Sequence, residues 1–364
     1  MLCLFLQSTT NFNYLSMKNY IYIFAALVLI AACKPNSSSK NYDTAPMLKN
    51  LAENIILPNY ISLETKAISL NDAVLVLKNT PNSTNLADAQ IKFLEAYKAW
   101  QKVSPFQFGP AEDIALNTIN IYPTDTAQIS ANISSGTYNL ETAANIDASG
   151  FPALDFLLFY GTESEILSRF TNVNFASYAV AASLQIRTKT STVKTDWQTS
   201  YANTFMTSTD LSVGGSLSLL TNALVLNFEK DAREAKIGIP AGVRTLNQIV
   251  PQNVEAFYSK NSILLAKEHI AGFKALYEGN NGASFKSILI GLDKETLAEN
   301  ISTHILNIET SLNTLSDPFD AMLNTNNEPA LAAYAEYQKL LPLLKVDMTA
   351  ALGLLITYSD SDGD

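Results

Sequence analysis

The sequence predicts an all-α protein, and three observations carry that prediction. Apolar side chains recur at helical spacing along much of the chain. Prolines leave two long windows, between Pro152 and Pro240 and between Pro251 and Pro318, in which helices run unbroken. Alternating β-type runs bounded by tight turns are scarce.

Taken in order, Ile91, Leu94, Trp100 and Val103 share one helical face, with Asn85 as the cap before it. Ile186, Val193, Trp197 and Tyr201 form a second stripe, and Leu217, Leu220, Leu224 and Phe228 a third. A fourth helix is expected from about Tyr258 to Tyr277 on Leu265, Ile270, Phe273 and Tyr277. The last helical pattern runs from Tyr334 to Tyr358, with a break expected at Pro342, which lacks an N–H and clashes with the preceding turn. Between the second and third helices, Thr207–Asp210 and Gly214-Gly215-Ser216 mark a hinge, dividing the body into halves 49–210 and 211–358.

The N-terminus reads as a bacterial lipoprotein signal. Met17-Lys18 precedes an apolar run from Ile21 to Ala32, and small residues lead into Cys33, the residue that lipid transfer requires. That run is too short for a permanent bilayer span of about 20 residues. Segment 1–32 is thus the expected signal peptide, with 1–16 an upstream over-reading if Met17 is the start. Residues 33–48 are the lipidated cysteine and a flexible tether. The expected location is the bacterial envelope, anchored to the membrane by lipid on Cys33 and facing either the periplasm or the cell surface.

Composition excludes several classes. The 364 residues carry 24 basic and 34 acidic side chains, for a net charge of -10, with no basic cluster, which excludes a nucleic-acid partner. Two cysteines and two histidines build neither a disulfide framework nor a zinc finger. The chain also lacks a His-Glu-x-x-His pair and a Gly-x-Ser-x-Gly elbow. His269, among Leu265, Ala266 and Phe273, and His304, among Ile301, Ile305 and Ile308, read as core or boundary histidines. Glu255 and Glu268 lie in the same region as His269, so a His-carboxylate metal site is an alternative reading. The segment Gly238–Arg244 reads as a loop opening a new helix, whose Arg244 either presents its fork to an anionic group of a ligand or pairs with a local acid. The ending 359–364 is an acidic tail whose spaced carboxylates resemble a calcium loop without its closing Glu.

Four segments together resemble the imelysin (M75 peptidase-like) family of envelope proteins: Trp100 followed by Pro105–Pro110, Tyr122-Pro123-Thr124-Asp125, Gly150–Phe159, and the acidic ending. Gly150–Phe159 is similar to the family's Gly-x-His-x-x-Glu followed by Phe-Leu-Leu, with Pro152 at the His position and Asp155 at the Glu position. The resemblance implies two helical-bundle lobes with a cleft between them, and a binding role linked to iron or another divalent metal. Proline offers no lone pair, so those positions cannot hold a metal as His and Glu would. Two readings of Asp155 stay open. It lines the cleft, with Arg244 as a second ligand-binding residue, or it is an anion near a helix N-terminus with Phe156–Phe159 as core. The function expected is a non-catalytic binding protein for a small ligand. The alternatives are an M75-type metal-dependent peptidase using Glu255, Glu268 and His269, and a surface scaffold for an envelope protein partner.

Overall fold

The structure, a computed structural model, describes residues 42–246 and 248–358; the expected signal peptide, Cys33 and the acidic tail lie outside the described residues. Among the described residues there is no β-strand, as the sequence predicts, and no helix long and apolar enough to cross a membrane. The principal helices are α1 (Ala45–Leu51), α2 (Leu57–Asn79), α3 (Ser83–Val103), α4 (Gly150–Phe159), α5 (Val173–Asp196), α6 (Ser216–Asn227), α7 (Ser262–Glu278), α8 (Glu295–Leu312) and α9 (Glu328–Pro342).

Their ends follow from local chemistry. The Asn82 side chain accepts the Asn85 N–H at 2.9 Å and so caps α3, making Asn82 rather than Asn85 the capping residue. Asn172 caps α5 by accepting from the N–H groups of Asn174 and Phe175. Gly279, at φ 74°, closes α7 in the left-handed conformation that a residue without Cβ adopts freely. That helix begins at Ser262, not near Tyr258, because residues 255–260 are drawn into turns.

Among the described residues four stretches widen into π-helix: Ala52–Ile56, Trp197–Tyr201, Phe228–Gly238 and Leu343–Met348. The last directly follows Pro342, so the expected disruption takes the form of a wider winding, and the final helical turn stops at Leu352 rather than Tyr358. Trp197–Tyr201 joins α5 to Ala202–Thr207 in one continuous helical run.

α2 packs against α3 and α5, and α4 lies against α3 and α5. In the second half α8 packs on α7 and α9, and α9 on Phe228–Gly238. α3 and α7 join the two sets. Gly272 permits that contact, since a Cβ there would stand 2.9 Å from the Cα of Lys102. Buried aromatics fill the first set. Trp197 lies 5.5 Å from Phe205 and 5.8 Å from Phe108, ring centre to ring centre, and Tyr97 stacks on Phe151 at 4.5 Å. Such pairs contribute about 0.5–1.5 kcal/mol beyond their buried area. Ile91 departs from the predicted stripe and is exposed, because Phe93 and Ala96 turn inward instead.

Candidate functional site

Within Phe228–Gly238 the charged side chains Glu229 and Arg233 are fully buried. The polar interior of the molecule is built around this segment. From it Lys236 donates to Gln101 Oε1 at 2.7 Å and pairs with the Glu255 carboxylate. The other Glu255 oxygen accepts from Gln101 at 2.9 Å and from Asn120 at 2.8 Å. Asn120 in turn accepts the Tyr97 hydroxyl at 2.6 Å. Both carboxylate oxygens and the ammonium of this buried ion pair thereby have polar side-chain partners, and added hydrogen bonds of that kind are what let such a pair be tolerated.

A second branch begins at Asn227, at the junction of α6 and the π segment. Its amide nitrogen donates to Ser104 at 2.9 Å and to Asp231 at 2.6 Å, while its oxygen lies 2.6 Å from His269 Nε2. Burial, and then the nearby Lys236 charge, hold the His269 imidazole well below its ordinary pKa, so the ring is neutral. A neutral ring facing an amide oxygen donates from Nε2. Its Nδ1 is buried without a hydrogen-bond partner.

Two cavities flank this interior. The larger, of about 720 Å³, has Asn227, Asp231, Lys230, Glu112, Asn222 and Phe108 among its lining residues. The smaller, of about 160 Å³, is lined in part by Tyr122, Thr124, Pro152, Asp155, Phe257 and Tyr258. Asp231 is exposed on the wall of the larger cavity and accepts there from the Asn227 amide. Burial, then the charges of Glu255 and Asp231, raise the Tyr122 hydroxyl well above its usual range.

The residues singled out from sequence fall in different places. Asp155 is the sixth residue of α4, is buried, and accepts the backbone N–H groups of Tyr258 at 2.8 Å and Ser259 at 2.9 Å. It lines the small cavity while holding the 255–260 turns in place. Its neighbours Leu157 and Leu158 are core, whereas Phe156 and Phe159 are only partly buried. Arg244 grips Glu234 with two nitrogens, each at 2.8 Å, and belongs to a different network from Asp155. The segment before it closes the π-helix rather than opening a new one. Glu268 faces Lys98 at 3.1 Å and Lys102 at 3.3 Å across the α3–α7 seam. Glu255, Glu268 and His269 therefore serve three separate sets of partners. Among the described residues no three His, Cys, Asp or Glu side chains are placed to hold a metal ion. His304 is half-buried, 3.9 Å from Glu336.

The motif segments lie around this interior. Gly150, at φ 66°, sits where a Cβ would meet the Ile119 carbonyl at 2.1 Å, and Phe151 is the ring stacked on Tyr97. Asp125 caps the helix Thr126–Ser135. A family model described as imelysin, peptidase M75, matches residues 56–345. The chain belongs to the imelysin family. Iron-regulated protein A of Synechococcus elongatus is 21% identical to this imelysin over 295 residues, covering 77% of this chain and 78% of the relative. A structure described as an iron-regulated protein A precursor from Parabacteroides distasonis superposes with a TM-score of 0.71 at 19% identity, covering 87% of this chain and 96% of that one. An imelysin-like protein from Psychrobacter arcticum gives 0.67 at 16% identity, covering 86% and 98%. These likenesses establish the fold.

A metal at the motif positions does not fit the residues present in this imelysin. Pro152 has no donor atom, and both Asp155 oxygens already accept backbone N–H groups. The partners that organise the interior, namely Gln101, Asn120, Asn227, Asp231 and Lys236, carry no local sequence signal. Gln101 and Glu255 meet across 154 positions.

Proposed function

We propose that this imelysin is a lipid-anchored protein of the bacterial envelope that binds a small organic ligand without transforming it, in the service of iron acquisition. The observation that carries the reading is the cavity of about 720 Å³ whose wall includes Asn227 and Asp231, two members of the fixed interior network. Side chains held by buried partners are pre-organised, and binding then costs little side-chain ordering. Cavities of this size suit ligands of drug-like dimensions. Gln107, Asn117 and Asn222 supply amide groups, Phe108 and Leu226 supply apolar surface, and Glu112 and Asp231 together outweigh the charge of Lys230 and favour a neutral or cationic occupant.

The iron link draws support from relatives named iron-regulated protein A, and the envelope location from the Cys33 signal. The engagement of Glu255, Glu268 and His269 with other partners weighs against the peptidase alternative. The test is calorimetric titration with a cationic hydroxamate iron chelate, its metal-free form, ferric citrate and the bare metal ions. Saturable binding of the cationic chelate, weakened at least tenfold in Asp231→Asn, is expected. Tight one-to-one binding of a bare metal, or no binding of any probe, would overturn the reading.

A further inference from the structure

We propose that loop 208–215 and the segment around Leu355 form a membrane-apposed face, with Leu211, Val213 and Leu355 as the side chains that enter the lipid. The inference rests on the lipid-anchored reading and adds which surface meets the bilayer.

The chain enters the described body at this face. The Tyr42 hydroxyl donates to the Leu352 carbonyl at 2.9 Å, and the Thr44 hydroxyl donates to the Thr209 carbonyl at 2.8 Å. Residues 42–44 are therefore tied both to loop 208–215 and to the last described segment. Asn222 extends the same junction, donating to the Leu355 carbonyl at 2.9 Å and accepting the Thr357 N–H at 2.7 Å. Only nine peptide steps separate Cys33 from Tyr42. Whatever path they take, they span at most about 30 Å. A lipid on Cys33 therefore keeps this face within that distance of the bilayer.

The surface there suits lipid. Leu211 is 40% exposed, Val213 52% and Leu355 67%. Gly214 has open space where a Cβ would be, so the loop is unobstructed at that position. Among the described residues, two acids beside this face are turned back onto their own backbone: Asp43 accepts the Ala45 N–H at 2.9 Å and Asp210 the Ser212 N–H at 3.0 Å. Apolar side chains are exposed on a loop whose acid, Asp210, is already hydrogen-bonded. Scattered exposed leucines need no explanation on an ordinary surface. A group of them beside the entry point of a short lipid tether fits a bilayer as the partner.

The opposite end of the molecule gives an internal reference. The continuous helical run from Val173 to Thr207 ends at this face, and at 1.5 Å per residue Val173 lies about 50 Å away along it. Val173 is 73% exposed.

The test uses the full lipidated chain in phosphatidylethanolamine–phosphatidylglycerol vesicles, carrying an environment-sensitive fluorophore on Val213→Cys or, separately, on Val173→Cys. Co-sedimentation with the vesicles and quenching by spin-labelled lipid are both read. Co-sedimentation with quenching at position 213 at least threefold that at 173 is the expected result. Co-sedimentation with equal quenching at the two positions overturns the proposed face and leaves the lipid anchor standing. Absence of co-sedimentation, unchanged by Cys33→Ala, overturns the anchor and this proposal with it.

Discussion

Asp155 and Tyr258 are 103 positions apart in the chain, yet the Tyr258 N–H donates to the Asp155 carboxylate at 2.8 Å. With the Ser259 N–H on the other oxygen, α4 thereby fixes the 255–260 turns and, through them, the Glu255 end of the interior network. Asp155→Ala leaves two amides without that acceptor and is expected to cost about 2–4 kcal/mol. Asp155→Asn keeps one acceptor oxygen and should cost less. Urea unfolding checks both, and an Ala variant within 0.5 kcal/mol of the parent, on the scale of an ordinary surface change, would sink the clamp.

The buried pair Lys236–Glu255 lends itself to a double-mutant cycle. Glu255→Gln alone strands a buried ammonium and is expected to cost about 3–5 kcal/mol. Combined with Lys236→Met, most of that loss should return, because no unpaired charge remains. Additive losses would mean that the two side chains do not interact.

Two buried groups give the protein opposing pH dependences. Burial pushes the Asp155 carboxyl up to about 6 from an ordinary 3.8. Its charged form is then a cost that is fully present above pH 6 and disappears as pH falls toward 3.8, so Asp155 adds stability on acidification, up to about 3 kcal/mol. His269 has the opposite sign. Its folded pKa is held well below 6.5, so the unfolded chain takes up the proton first, and stability present above pH 6.5 is lost as pH falls. Relative to the parent, Asp155→Asn should lose stability from pH 7 to 5, and His269→Gln should gain it. Unfolding curves at three pH values decide the matter, and parallel profiles for all three proteins would refute it.

Gly150→Ala should destabilise by at least 2 kcal/mol, since left-handed backbone costs an L-residue about 1–2 kcal/mol and the new methyl meets the Ile119 carbonyl. Gly214→Ala, placed where nothing lies within 4 Å, serves as the control and should leave the melting midpoint nearly unchanged.

Much of the fold was legible because periodicity reports burial directly: Leu217, Leu220, Leu224 and Phe228 are all fully buried as their spacing predicts. The glycine of the motif was legible too, because only Gly150 tolerates its backbone and its neighbour. Ile91 misled because its hydrophobicity fits a face that other residues occupy. The interior network could not be read. Its members are amides and charges of ordinary local context, and their meaning arises from contacts such as Lys236 with Gln101, across 135 positions. The charged run from Glu229 to Lys236 is the instructive case, because Glu229, Arg233 and Lys236 are buried within its π winding although charge alone marks them for solvent.

That winding has an evolutionary consequence. A π turn stores an extra residue inside an otherwise regular helix, so Phe228–Gly238 behaves as an insertion that the fold has absorbed. Deleting one residue there would let the segment relax toward α geometry, and the side chains within it would leave their present register. Lys236 would swing away from Glu255, and the grip of Arg244 on Glu234 would have to be rebuilt. Individual side chains in this stretch can be exchanged one at a time, but its length cannot drift, and gaps should be rarer in this helix than substitutions.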